Sequence, residues 1–143
     1  MATKAHLTVE DFVRLPESVG GRDVRYELVE GELVTVSPAM FPHNRVRDNV
    51  LVTLMRFLQD GKLGMVISLQ AFHLFGNTVR TPGVAFIRSG RDLAKDRPIE
   101  GAPDLAIEVV SPTNINATST ISTNVEEIAI RVPKFLAWQP ERS

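Results

Sequence analysis

Glu108 stands in the middle of "GAPDLAIEVVSPT", residues 101–113, a run otherwise apolar enough to form a buried strand. Side chains alternate along a strand, so Leu105, Ile107 and Val109 share one face while Ala106, Glu108 and Val110 share the other. An unpaired carboxylate in such a strand costs several kcal/mol, roughly, or takes up a proton, so Glu108 needs a partner. A strand carboxylate with a second acid on the neighbouring strand and a lysine close by can hold a divalent ion against a phosphate. The acids bind the ion, the ion activates water and the lysine orients it. The neighbouring strand is the one entered through "TVRTPGVAF", where Gly83 follows Pro82. On the residues alone two readings stay open: part of a metal site, or a buried acid bonded to backbone or to an arginine such as Arg80.

The bulk composition narrows the chemistry. With no cysteine there is no disulfide and no thiolate site, so an ion must be held by oxygen or imidazole, which suits Mg²⁺, Mn²⁺ or Ca²⁺. A length of 143 residues with 43% hydrophobic content is one domain's worth of core. The formal net charge of −1 gives no global attraction to nucleic acid. Arg45, Arg47, Arg56 and Lys62, then Arg80, Arg88, Arg91, Lys95 and Arg97, are interleaved with acids and read as a solvated surface rather than a phosphate track. The N-terminus lacks a signal-peptide core, and no run approaches the ~20 apolar residues of a membrane span. The expectation is a cytoplasmic protein with no membrane partner.

Thr8 ahead of Glu10 and Asp11, then Phe12, Val13 and Leu15, predicts a short capped helix ended by Pro16. "YELVEGELVTVS" predicts a hairpin that turns at Glu30-Gly31. The spacing of Val46, Val50, Leu54, Phe57 and Leu58 predicts a helix from Asn44 to Gln59, stopped by Gly61 and Gly64. "MVISLQAFHLF" and "VAFI" are strand-like, separated by "GNTVRTPG" with a tight turn at Gly76-Asn77. Residues 89–97 read as a charged loop or short surface helix, and 104–110 as the central strand. "SPTNINATSTISTN" favours a loop, and "VEEIAIRVPKFLAW" a short helix and, after Pro133, a strand. This order is an α/β or α+β layout around a mixed sheet.

In that order, "YELVEGELVTVSP", "TVRTPGVAF", "EGAPDLAIEVVSPT" and "VPKFLAW" resemble the motifs of the Uma-type restriction endonucleases, bacterial members of the PD-(D/E)XK nuclease superfamily, over about residues 8–140. The resemblance implies a single restriction-endonuclease-like α/β domain over residues 1–143, with a four- or five-stranded mixed β-sheet flanked by helices. It implies a metal-dependent endonuclease acting on DNA, with Mg²⁺ or Mn²⁺ as cofactor. Glu108 would be a metal ligand and Val109 a second one through its carbonyl. Glu27 or Glu32 would be an auxiliary catalytic acid, and His43 a further catalytic candidate.

The same resemblance marks two departures. Gly83 stands where the family usually has an aspartate, and Asn124 stands where a helix usually begins with lysine. A centre with one acid and no lysine binds an ion poorly. The implied function is therefore an impaired endonuclease or, alternatively, an inactive nuclease-fold module kept for binding or assembly. Blander roles stand beside these. Glu27 and Glu32 fit solvent-facing hairpin positions, His43 a surface or capping residue just ahead of the helix, Gly83 a turn or bulge, and Asn124 an N-cap with Glu127 three residues on. Family members also run on beyond "VPKFLAW". The expectation is a chain shortened at its C-terminus, with "KFLAW" and a helix face of Ile128 and Val132 left uncovered, which favours a homo-oligomer.

Overall fold

The computed structural model describes residues 5–16, 18–19, 22–23, 25–36, 38–110 and 127–131. Its helices are α1 (Val9–Val13) and α2 (Phe41–Phe57). Its strands are β1 (Ser18–Val19), β2 (Arg22–Asp23), β3 (Arg25–Val29), β4 (Glu32–Val36), β5 (Gly64–Ser68), β6 (Phe72–Phe75), β7 (Thr78–Arg80), β8 (Val84–Arg88), β9 (Ile99–Glu100), β10 (Leu105–Val110) and β11 (Glu127–Arg131). The fold is mixed α/β, and its strands divide between a five-stranded and a four-stranded sheet rather than lying in one, with β1 and β2 as a separate pair. The chain forms two compact units.

The first unit gathers Met1–Pro38, Ala71–Thr81 and Asp92–Ala102 around the sheet β4-β3-β7-β6-β9. This sheet is mixed, because β9 runs parallel to β6 while the other pairs are antiparallel. The β3–β4 hairpin closes Val29 against Glu32 through Glu30 (φ 49°) and Gly31 (φ 83°). Two successive left-handed residues make the primed turn whose twist matches that of the strands. Gly31 is needed for a second reason: a Cβ there would collide with the His6 ring. Glu30 N–H donates to the buried Thr78 hydroxyl at 3.0 Å, tying the turn to β7. Beneath lie Val9, Leu28 and Val79, with Leu7, Phe12 and Ala71 packed against them. Thr8 and Asp11 cap α1 reciprocally, and the Thr8 backbone and hydroxyl bonds hold the Asp11 carboxyl below its usual pKa.

The second unit gathers Ala39–Gln70, Pro82–Arg91 and Pro103–Ser143 around the antiparallel sheet β11-β10-β8-β5. Helix α2 packs on β5, β8 and β10. Val84, Ala85, Ile87, Ala106, Ile107 and Val109 are its buried apolar side chains. The helix begins at Phe41, three residues before the sequence-based start. Pro42 is accommodated because the first turn has no intrahelical use for the missing N–H. His43 therefore lies within the first turn, not ahead of it. Val46, Val50, Leu54 and Leu58 are half-buried as their spacing requires, but Phe57 is 77% exposed and does not belong to the packed face.

Two further expectations change. Thr78–Arg80, expected as part of a connector, is strand β7. Residues 127–131, expected as helix, form β11, antiparallel to β10 with Glu108 opposite Ala129. The sequence EIAIR alternates β-branched isoleucine with other residues at a period of two, which serves a strand better than one turn of helix. Ile128 therefore lies on a strand rather than a helix face. Asn124, Val132, "KFLAW" and the whole Ser/Thr/Asn-rich stretch fall outside the described residues. No helix among the described residues is long and apolar enough to cross a membrane.

Candidate active site around Glu108 and Gly83

Strand β10 runs between β8 and β11, and its register with β8 pairs Ile107 with Val84. One step beyond that pair Glu108 meets Gly83, and the Glu108 carboxylate accepts the Gly83 N–H at 3.3 Å. Glu108 is half-buried within a strand whose neighbours Ile107 and Val109 are 4% and 5% exposed. A backbone donor thus supplies part of what the carboxylate needs. Arg80, the arginine considered as its partner, belongs to the first unit, where its Nε lies 3.0 Å from Glu27 Oε2.

A Cβ on Gly83 would stand 3.4 Å from the Ile107 carbonyl oxygen, 3.6 Å from Glu108 Oε2 and 3.7 Å from Arg47 Cδ. These are ordinary contact distances, so the position opposite Glu108 has room for a side chain and holds none. Arg47 reaches it from α2. Its side chain is 16% exposed, and its guanidinium donates to Asn44 Oδ1 at 3.1 Å and to Asp48 Oδ1 at 3.0 Å from Nη2 and 3.2 Å from Nε. Sequence reasoning placed Arg47 on a solvated surface. The signal against that was its spacing, since Arg47, Val50, Leu54 and Leu58 fall three, seven and eleven residues along one helical stripe.

The remaining candidates separate between the units. His43 and Val109 share the second unit with Glu108, and Val109 pairs with Ile128 of β11. Glu27 and Glu32 belong to the first unit. Glu27 is not solvent-facing: it is 13% exposed, and besides Arg80 it takes the Thr81 N–H at 2.9 Å. Glu32 is exposed. Among the described residues no three His, Cys, Asp or Glu side chains gather into a metal-binding group. At the Glu108 centre Gly83 offers no side-chain donor, and Arg47 Cδ lies 3.7 Å from where its Cβ would stand. The described residues of this centre do not fit a tightly held Mg²⁺ or Mn²⁺.

Comparison with known proteins bears on this arrangement. The family model Uma2, described as "Putative restriction endonuclease", matches residues 9–131. The crystal structure of a putative nuclease belonging to DUF820 from Anabaena variabilis ATCC 29413 shares the fold, with a TM-score of 0.58 and 18% identity. That likeness covers 75% of this chain and 60% of the other, so the chain spans less than two thirds of that protein's length. No curated protein matches the chain. The family match covers most of the chain, strands β3 to β11 included, and on that ground the chain belongs to the Uma2 family of restriction-endonuclease-like proteins.

Proposed function

We propose that this chain is a nuclease-fold domain that engages DNA and cleaves its phosphodiester bonds at or near the background rate. Family membership supports a nuclease ancestry, and the observation that carries the rest is the bare Gly83 facing Glu108 beside Arg47. A single carboxylate next to a cation holds Mg²⁺ or Mn²⁺ weakly, and water is then poorly activated. Residual hydrolysis would depend on Glu108 first, with the Val109 carbonyl beside it and His43 as the next candidate in the same unit. Glu27 is committed to Arg80 and Thr81, which speaks against a catalytic role, and Glu32 is the weaker auxiliary acid. The half-buried Arg47 favours the non-hydrolytic form of this reading, a binding module.

Incubating supercoiled plasmid with the chain in Mg²⁺ and in Mn²⁺ tests the proposal. Cleavage at background is expected. Robust cleavage that Glu108→Ala abolishes would contradict it.

A further inference from the structure

We propose that Arg47 is a phosphate-binding residue, so that the centre at Glu108 takes a DNA phosphodiester through a guanidinium with no divalent ion required. This deepens the functional reading above and rests on its DNA-binding half.

Three observations place the group. Arg47 Cδ and Glu108 Oε2 lie 3.7 and 3.6 Å from one point, the position of a Gly83 Cβ, so the arginine stem and the carboxylate reach the same spot. The side chain is only 16% exposed, which is costly for a cation that serves merely to solvate a surface. Its guanidinium is oriented by Asn44 and Asp48, residues three before and one after it on α2. These bonds use Nε–H, one N–H of Nη1 and one of Nη2. A guanidinium carries five N–H donors, so among the described residues one on each terminal nitrogen stays available. Two donors on adjacent nitrogens are the fork that grips two oxygens of one phosphate, and the Asn44 and Asp48 bonds fix the plane of that fork before the ligand arrives.

Charge points the same way. Gly83 brings no charge of its own, so the anions beside Arg47 are Asp48, which orients it, and Glu108 across the Gly83 position. A phosphate that approaches Gly83 meets a preoriented cation, with Glu108 held back by the Gly83 N–H. Arg45, exposed on the same helix, has no such support among the described residues and serves as the internal control.

The test is anisotropy of a labelled DNA duplex titrated with the full chain in EDTA across a salt series. The duplex is expected to bind without metal. Arg47→Ala should weaken binding about tenfold and make the log–log salt dependence shallower by about one phosphate contact. Arg47→Lys should keep the salt dependence and lose much of the affinity, because charge remains and the fork does not. Arg45→Ala should leave affinity nearly unchanged. Parent-like binding by an Arg47→Ala chain whose circular dichroism matches the parent would overturn the proposal. So would an equal loss in Arg45→Ala, or binding that needs Mg²⁺ or is absent altogether. If Arg47→Ala does not fold, full affinity in Arg47→Lys overturns it instead. Cleavage by the parent chain in Mg²⁺ would count against the functional reading and leave this result, scored in EDTA, standing.

Discussion

Gly83 and Glu108 face each other with space between them: the Gly83 N–H meets the Glu108 carboxylate at 3.3 Å, and a Cβ on Gly83 would stand 3.6 Å from the same oxygen. Gly83 is not among the glycines of positive φ, so the backbone accepts an L side chain there without strain. Neither the backbone conformation nor the distances around its Cβ position require a glycine there.

Gly83→Asp together with Asn124→Lys should restore Mn²⁺ or Mg²⁺ binding first and plasmid cleavage second. Each change alone should do little, because parts of one catalytic unit are not additive. The new aspartate alone would also stand against the Arg47 side chain, whose Cδ lies 3.7 Å from its Cβ position. Calorimetric titration with Mn²⁺ reads the first effect and plasmid nicking the second. Adding Glu108→Ala to the pair should return both to the starting level.

Glu108→Gln should melt within a few degrees of the parent in EDTA. The amide oxygen can accept the Gly83 N–H as the carboxylate does, and half-burial of a neutral group is cheaper than that of a charge. A melting temperature many degrees lower would mean that the charge of Glu108 is itself a structural requirement.

Glu27 and Arg80 should behave as a coupled structural pair. Their side chains are 13% and 27% exposed, and Glu27 also takes the Thr81 N–H. Glu27→Gln should cost about 1–3 kcal/mol by urea unfolding, since it removes the charge that Arg80 faces at 3.0 Å. Glu27→Gln combined with Arg80→Met should cost less than the sum of the two single changes.

His73 should make stability depend on pH. Its Nε2 lies 2.7 Å from the Gly76 carbonyl oxygen and its Nδ1 3.0 Å from both Glu100 oxygens, so both nitrogens face groups that only accept. Burial pulls its pKa down, but the Glu100 hydrogen bond, the Gly76 carbonyl and the Glu100 charge together outweigh that and the repulsion from Arg97, and the pKa is raised above 6.5. A folded pKa above the unfolded one gives stability that is complete below the unfolded value and is lost as pH rises through the folded value. The melting-temperature advantage of the parent over His73→Gln should therefore be largest in mildly acidic buffer and shrink above neutrality. An advantage that grows with pH would reverse the assignment.

The hairpin, the capped start of α1 and the strand that bears Glu108 were legible because each is written in local spacing: Glu30-Gly31 between β-rich arms, Thr8 ahead of Glu10 and Asp11, and the apolar alternation of residues 105–110. The first turn of α2 was missed because Pro42 reads as a break when it is a tolerated first-turn residue. Strand β11 was missed because Asn124 with Glu127 three residues on reads as a capped helix start, while the pairing that decides the matter is with β10. The division of the strands between two sheets depends on contacts far apart in sequence, which local periodicity does not carry. Glu108 and Gly83 could be paired from the motifs. Arg47 could not, since its role depends on where α2 crosses the sheet.

The most direct test of the central claim is plasmid cleavage by the unmodified chain in Mn²⁺, run beside Glu108→Ala under the same conditions. The account expects two indistinguishable, background rates, because a centre with Gly83 opposite Glu108 lacks the second acid. A rate well above background in the unmodified chain that falls to background in Glu108→Ala would show a working centre and contradict it.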